Sequence, residues 1–504
     1  MNGYNIFYFK PMFFLRDLFM HLLLSLVIFV LPDDKVLLPV IVFLTLFYAY
    51  NRNIANVLIV GIYALYTSSE LVYYGYSLSL LGLLLTGKSL FRATPPLLKP
   101  FFYLLIYLMA SYVIQIFFEG SWFSFPFFIL TFISPGFIAF YVFRNPLTYG
   151  DLEKVFRNML ALSFAQAIIA FFLQAVPKGI GAILATPTYG DMITGTTSTA
   201  PSLAILLFFS ILPYIMNFTR TFKMDVRSLI FVSICVFYIF LIYLNDSKTE
   251  LYAIIISFSV ISALRYVSGK NVIAKVFLLV AGILVFVSSL SFLNEKFLSI
   301  SKDYDDYITG KYNAKFLYFV SSLDPDTRPL YQYVFGSGPG TNGSRAANAL
   351  AYDVLFKRDN AVTLPSFVPA KSNTFTKKYL SKYFDDEYAK DSGGRSAILG
   401  NPFNSMCALF IEFGVVGYIL YLLIIGRIFL KLTHVRGFLA LACCMLIGTN
   451  FITAFIDQTL ERVVTMHLQF FLMALALKEL YYPESFLIVN RKAGPLMPVL
   501  TTTN

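Results

Sequence analysis

Apolar segments of membrane-spanning length recur along most of this chain, and they constrain its fold more than any other feature. Lipid offers the backbone no hydrogen-bond partner, so such segments fold as helices. A span needs about 20 apolar residues, in a range of roughly 17–25, and we count about fourteen candidates. They lie near 12–32, 36–50, 53–67, 70–87, 97–118, 122–143, 153–176, 199–218, 227–244, 249–267, 272–293, 406–430, 436–456 and 462–481. The sequence therefore predicts an all-α polytopic membrane protein with about 14 transmembrane helices (range 12–14).

Composition supports this fold class. Hydrophobic residues make up 58% of the chain and charged residues only 13%, with a mean hydropathy of +0.71. Soluble domains carry about 25% charged residues. The balance excludes an ordinary soluble protein.

One polar stretch, residues 294–405, interrupts the apolar pattern. It divides the chain into a transmembrane bundle at 1–293 with about eleven spans, a large loop at 294–405, C-terminal helices at 406–482 with about three spans, and a tail at 483–504. Most of the rest of the chain is predicted to span the membrane. We therefore expect the loop to cap the functional site.

The net charge of +11 invites a nucleic-acid interpretation, but the distribution of the charge excludes it. With a cytoplasmic N-terminus, the cytoplasmic segments collect 21 Lys and Arg residues and the opposite short loops collect 4. Such a bias sets membrane orientation. It predicts cytoplasmic termini and a large loop outside the cytoplasm.

The cysteines and acidic pairs give little sign of a metal or disulfide framework. All four cysteines lie in predicted spans and none lies in the loop, which argues against a disulfide scaffold. Asp33 and Asp34 form either a solvated turn or a pair that could hold a metal ion or serve as a base. We predict no metal ion and no cofactor.

The segment NDSKTELYA, at 245–253, opens the tenth predicted span. Ser247 and Glu250 have the spacing of a capping box. That does not explain Lys248, because a helix start disfavours cations. The lysine either meets an anionic ligand there or forms a local ion pair, and Asp246 is an adjacent carboxylate.

A second segment, DTRPLYQYVFGSGPGT at 326–341, is rich in glycine. Gly338 and Gly340 let successive backbone amides face one side, which is an anion-binding geometry but also that of a plain turn. Arg328, shortly before them, could bind a phosphate bidentately.

A third segment, from 401 to 422, starts with polar Asn401 and Asn404 and continues into a span that contains Glu412. An acid within a span is functional by default. The alternative is a helix-packing hydrogen bond that uses Gly414 and Gly417 for close approach.

A fourth segment, TGTTSTAPSLAILLFF at 194–209, starts the eighth predicted span. Proline near the first turn is typical of a helix start. As a site, the segment would offer hydroxyl donors to a sugar or a lipid phosphate.

Taken in their order along the chain, these four segments resemble the O-antigen ligase/polymerase superfamily of bacterial envelope glycosyltransferases, the Wzy and WaaL type. Members commonly carry G-T-F-x-x-P-N-x-L-A, to which GTTSTAPSLA at 195–204 is similar. They carry T-x-S-R-[GT], which here looks like NDSKT with Lys248 in place of Arg. Their G-x-G-x-G matches GSGPG at 336–340.

Members also read H-N-x-x-L, followed by two glycines, and Asn404, Gly414 and Gly417 fit that spacing. The resemblance covers about residues 195–425. The histidine of the ligases is Phe403 here, which favours a polymerase over a ligase and leaves the general base unassigned. The carboxylates available near the matched motifs for a catalytic role are Asp246, Glu250, Asp326 and Glu412.

The resemblance implies a GT-C-like fold in the bacterial inner membrane with a periplasmic loop. It also implies transfer of a glycan repeat unit from undecaprenyl pyrophosphate to the hydroxyl of another lipid-linked chain, with inversion. The expected partners are that lipid-linked oligosaccharide and membrane lipid, with a chain-length regulator protein as a further candidate. Lys248 and Arg328 would stabilise the leaving diphosphate, with Arg345 and Arg395 as additional cations, and Asn404 would orient sugar hydroxyls.

Three other functions stay open. A metal-dependent glycosyltransferase would use Asp33 and Asp34. A ligase would move the finished glycan to lipid A core or to protein. A flippase or other transporter of lipid-linked oligosaccharide would also have this many spans, although such proteins often contain inverted repeats and we find none.

Overall fold

The computed structural model describes most of the apolar parts of the chain and only pieces of the large polar loop. The described residues are 10–30, 34–67, 69–86, 94–116, 122–185, 192–197, 199–221, 226–245, 247–267, 318, 320–323, 328–351, 376–380, 404–435, 437–455 and 457–482. Side chains within 216–221, 262–263 and 265–267 and those of residues 248, 349, 379 and 380 are not described.

These ranges are all-helical and contain no β-strand. The α-helices, two of which include short π or 3-10 stretches, are α1 (Pro11–Val30), α2 (Asp34–Tyr50), α3 (Ile54–Leu65), α4 (Glu70–Leu85), α5 (Pro100–Ile116), α6 (Ser124–Arg144), α7 (Tyr149–Lys178), α8 (Ile180–Ala185), α9 (Ala200–Thr221), α10 (Val226–Leu244), α11 (Lys248–Val267), α12 (Leu330–Phe335), α13 (Arg345–Leu350), α14 (Ser405–Thr433), α15 (Phe438–Thr453) and α16 (Val463–Tyr481). The predicted fold class is confirmed at this level.

Several of these helices are suited to a membrane. Within the described ranges, six are long and apolar enough to cross one, namely α1, α6, α7, α10, α14 and α16. Further apolar helices of 10–17 residues lie between them. The chain is therefore a multi-pass membrane protein. Each predicted span overlaps one of these helices, except the span near 272–293, which lies outside the described residues.

Side-chain caps fix where several helices begin. The Asn53 side chain accepts from the backbone N–H of Asn56 at the start of α3, and Ser69 accepts from Leu71 N–H at the start of α4. Thr148 and Asp151 form a reciprocal capping box at the start of α7. Each cap satisfies an amide that the first turn leaves without a partner.

Buried polar side chains tie the helices together. His21 of α1 lies 2.8 Å from the Asn158 side chain of α7, and Gln166 of α7 donates to the Ser25 hydroxyl of α1. In lipid, where apolar packing brings no hydrophobic gain, such bonds help to specify which helices pair.

Helix α14 is broken at Gly414, and a loop fills the break. Gly414 has a φ of +64°, which only glycine adopts readily, and its backbone packs against Gly336. The carbonyls released by the break are bonded by the loop: Ile411 O accepts from Ser337 N at 3.0 Å, and Glu412 O accepts from Gly338 N at 3.1 Å. The described part of the large loop is thus docked into a membrane helix.

One end of the bundle, which we call the loop face, gathers segments far apart in sequence. It consists of residues 65–67, 69–70, 195–197, 199–200, 245, 247–250, 336–345, 404–405 and 457–463. Asn245 donates to Ala200 O at 3.1 Å, Gln458 donates to Gly343 O at 2.7 Å, and Ser405 N donates to Asp457 O at 3.1 Å. All four motifs noted in the sequence touch or adjoin this face.

Candidate functional site

A polar cavity of about 180 Å³ opens on the loop face. It lies between the start of α4, the start of α9, the start of α13 and the segment that leads into α16. Its polar lining consists of Thr67, Ser69, Glu70, Tyr73, Thr199, Ser202, Arg345, Asp457, Gln458 and Arg462. Among the sequence predictions, this cavity contains Arg345 and two hydroxyl residues of the 194–209 segment, Thr199 and Ser202.

Arg345 forms an ion pair with Glu70 across the cavity. Its Nη1 donates to Glu70 Oε1, while its backbone N–H donates to the Glu461 carboxyl group. The side chains of Arg345 and Glu70 are 31% and 26% exposed. Burial alone would lower the pKa of the guanidinium, but the Glu70 carboxylate raises this pKa above its ordinary value. The cation is fixed, charged and open to the cavity.

Arg462, just before α16, is the second cation. It donates to Glu250 of α11 at 3.2 Å and to Asp457. The side chain of Arg462 is 13% exposed and that of Glu250 only 4%, so this cation is buried more deeply than Arg345, although its second partner Asp457 is 35% exposed. The sequence did not identify Arg462 as a site residue. Its only signal was its place among the few basic residues of the short outer loops.

Glu461 lies between the two cations. Burial, and next the nearby Glu412 carboxyl group, raise the pKa of Glu461 to about 8. Its Oε1 atom is buried and has no hydrogen-bond partner within the part of the chain that the structure describes. At neutral pH this group therefore carries a proton.

Hydroxyl groups complete the cavity. Thr199 Oγ1 and Ser202 Oγ lie 2.8 Å apart at the start of α9. The Tyr73 hydroxyl lies 2.9 Å from His467 Nδ1 of α16, so that histidine orients a residue of the cavity wall. Guanidinium groups beside hydroxyls and carboxylates suit a ligand with an anionic group next to a polyol.

The glycine loop forms an anion-binding arrangement that is filled by the protein itself. The backbone N–H groups of Gly340, Thr341 and Asn342 donate to the Glu412 carboxylate at 2.8–2.9 Å. Gly338 donates its N–H to the Glu412 backbone carbonyl. The sequence predicted both parts, a nest and an acid in a span, and the structure joins them to each other. A role of Glu412 in catalysis stays a prediction.

Arg328 is also engaged by the protein. Its guanidinium donates to the carbonyls of Ser322 at 2.8 Å, Gln332 at 2.9 Å and Ile411 at 3.1 Å, and it lies over the Tyr333 ring. The residue is 1% exposed, and burial lowers the pKa of its guanidinium. These contacts support a structural role in holding the loop against α14. Its predicted contact with a diphosphate stays a prediction.

The structure describes only some of the remaining predicted site residues. Asn404 caps α14, where its side chain accepts from Cys407 N–H at 2.8 Å. Lys248 is the first residue of α11, but its side chain lies outside the described part. Asp246, Arg395 and Asn401 also lie outside the described residues.

The predicted capping box at α11 is wrong. Ser247 Oγ is buried and has no partner among the described residues, and the Glu250 carboxylate turns to Arg462 instead. A guanidinium binds a carboxylate more strongly than a neutral backbone amide does, so the Glu250 carboxylate pairs with Arg462 rather than with the start of its own helix. Of the acidic pair Asp33 and Asp34, the structure describes one residue. Asp34 is the first residue of α2, and Asp33 lies outside the described residues.

No protein-family model, no curated protein and no solved structure matches this chain. The functional interpretation therefore depends on the site and on the motifs of the sequence.

Proposed function

We propose that this protein polymerises glycan repeat units carried on undecaprenyl pyrophosphate, by inverting glycosyl transfer at the outer face of a bacterial inner membrane. Its fold would be of the GT-C type, with about 14 spans. The large loop would face the periplasm and both termini the cytoplasm. The observation that carries the proposal is the meeting of Arg345, from the large loop, with Thr199 and Ser202 of the 194–209 segment in one polar cavity on the loop face.

The cavity offers what this reaction needs. The acceptor hydroxyl attacks the anomeric carbon, and the bond to the diphosphate breaks. Negative charge grows on the leaving oxygen, so a fixed cation aimed at it stabilises the transition state more than the ground state. Arg345 is the more exposed of the two cations in the cavity lining, 31% against 13% for Arg462. We therefore assign Arg345 the main role, beside the predicted Lys248.

No nucleotide is required in this scheme, because the pyrophosphate ester already stores the driving force. The hydroxyls of Thr199 and Ser202 would hydrogen-bond phosphate or sugar oxygens. The docked loop would hold Arg345 in place, since it is anchored by Glu412 on one side and by Glu461 on the other.

The proposal is tested by complementation of a deletion strain. Arg345→Ala should remove long-chain polymer from surface-polysaccharide gels while the protein still inserts in the membrane. Removal of one such donor typically lowers the rate roughly 10²–10³-fold. Arg427→Ala, an exposed arginine near the other end of α14, is the matched control and should leave chain length normal.

The same gel separates the alternatives. A deletion strain with one repeat unit on the core supports the polymerase, whereas bare core indicates a ligase. Polymer of normal chain length in the Arg345→Ala strain would refute the assignment of this cavity as the reaction site. A tag within 352–375 that is protected from reagents outside the cytoplasm would place the loop on the wrong side and refute the proposal.

A further inference from the structure

The ion pair between Arg345 and Glu70 is the more accessible of the two arginine–carboxylate groups at the cavity. The side chain of Arg345 is 31% exposed against 13% for Arg462, while Glu70 is 26% exposed against 4% for Glu250 and 35% for Asp457, so the difference lies in the cation. An anion that enters the cavity therefore meets the Arg345 pair first.

Both partners are anchored independently of each other. Arg345 keeps its backbone in place through the bond from its N–H to Glu461, and Ser344 caps the short helix that follows. Glu70 begins α4, and its Oε2 accepts from the Tyr74 hydroxyl one turn later at 3.0 Å. The ion pair can open without unfolding either segment.

The alternative cluster is less able to open. Arg462 binds both Glu250 and Asp457, so a ligand would have to displace two carboxylates. Glu250 is almost fully buried, and a buried charge that loses its partner is strongly unfavourable.

A diphosphate carries more charge than a carboxylate and presents several acceptor oxygens, so it competes well for a guanidinium. A carboxylate that loses an adjacent cation becomes a stronger base. Binding of the diphosphate to Arg345 would thus activate its former partner.

We propose that Glu70 is the general base of the transfer reaction, and that displacement of Glu70 from Arg345 by the donor's diphosphate prepares it for that task. This assignment rests on the proposed function. The acceptor hydroxyl gives its proton to the Glu70 carboxylate as its oxygen bonds to the anomeric carbon. The carbon–oxygen bond to the diphosphate breaks, and its electron pair stays on the diphosphate, which Arg345 holds. The Tyr74 hydroxyl positions the carboxylate throughout.

The test uses the purified full-length protein in lipid nanodiscs and measures two quantities. Inorganic pyrophosphate binding is followed by calorimetry, and glycan elongation is followed with lipid-linked donor and acceptor. Glu70→Gln removes the competing charge, so it should bind pyrophosphate several-fold more tightly. Its elongation rate should nevertheless fall roughly 10²–10⁴-fold, the usual contribution of a general base.

Three further variants complete the design. Arg345→Ala should lose pyrophosphate binding, and Glu70→Asp should recover part of the elongation rate. Glu153→Gln changes a half-buried carboxylate on α7, 3.7 Å from Lys10 Nζ and not part of the cavity lining, and should match the wild type in both measurements. A Glu70→Gln variant that elongates at the wild-type rate, or binds pyrophosphate no more tightly than the wild type, overturns the proposal.

The two proposals fail in different ways. If the wild type binds pyrophosphate and Glu70→Gln binds it more tightly, but no glycan is elongated, the exchange at Arg345 is supported and the polymerase function is refuted. If elongation occurs and Glu70→Gln retains it, the function stands and the assignment of the base is wrong.

Discussion

The carboxylate of Glu412, on a membrane helix, accepts a hydrogen bond of 2.8 Å from the backbone N–H of Gly340 in the large loop. Two more amides, those of Thr341 and Asn342, donate to the same group. The residue is 0% exposed. This contact fastens the loop that carries Arg345 to the helix bundle.

We expect Glu412→Gln to destabilise the protein strongly. Glutamine places an NH₂ group where one carboxylate oxygen accepted a bond, so at least one buried amide loses its acceptor, at about 1–3 kcal/mol for each. Thermal unfolding of the detergent-solubilised protein measures the effect, with Glu153→Gln, at a half-buried carboxylate paired with Lys10, as control. Equal melting temperatures for the two variants would contradict the anchoring role.

Gly414→Ala should be destabilising as well. Its φ of +64° is unfavourable for alanine by roughly 1–2 kcal/mol, and a Cβ atom would overlap the backbone of Gly336. Gly426, in the same helix, has no contacting atom within 4 Å of the place that a Cβ atom would occupy, so Gly426→Ala should be neutral or slightly stabilising. The pair is compared by thermal unfolding. A harmless Gly414→Ala would mean that the kink is not required.

Arg328 distinguishes a structural role from a catalytic one. Its guanidinium binds three carbonyls that face different directions, which a lysine ammonium cannot reproduce. We therefore expect Arg328→Lys to lower the melting temperature and to expose the loop to protease. Loss of elongation with an unchanged melting temperature would instead support the diphosphate contact predicted from the sequence.

The sequence predicted the helices well and the site only in part. Span positions follow from apolar length and local caps, so α1 at Pro11–Val30 agrees with the predicted 12–32. Long-range pairs such as Arg345 with Glu70 depend on which helix ends meet in space, and no local pattern encodes that. Glu70 after Ser69 was indistinguishable from an ordinary acid in a first helical turn.

The glycine loop illustrates the same limit. Its pattern indicated an anion-binding turn, and the structure contains one, but the anion is Glu412, which lies about seventy residues away along the chain. A bound anion and an internal carboxylate both require successive backbone N–H groups that face one side, so both select the same glycine-rich sequence. Only the tertiary contact distinguishes them.

Glu461 predicts a pH dependence of stability. Burial, and next the Glu412 carboxyl group, raise its pKa in the folded protein to about 8, above the value of 4.5 expected when it is unfolded. The folded state therefore binds the proton more tightly. The resulting stabilisation is fully present below pH 4.5 and is lost as the pH rises to about 8, with a limiting slope of about 1.4 kcal/mol per pH unit for one proton.

Glu461→Gln replaces the titrating carboxyl group with an amide. The amide keeps an oxygen that can accept from the Arg345 backbone N–H. We expect the melting temperature of the wild type to fall between pH 6 and pH 9 by more than that of Glu461→Gln, because only the wild type must place a charge in the buried site at high pH. The variant should be the more stable protein at pH 9, where the buried carboxylate is ionised. Parallel pH profiles for the two proteins would show that Glu461 does not titrate in this range, and the charge balance of the cavity would then have to be revised by one negative charge.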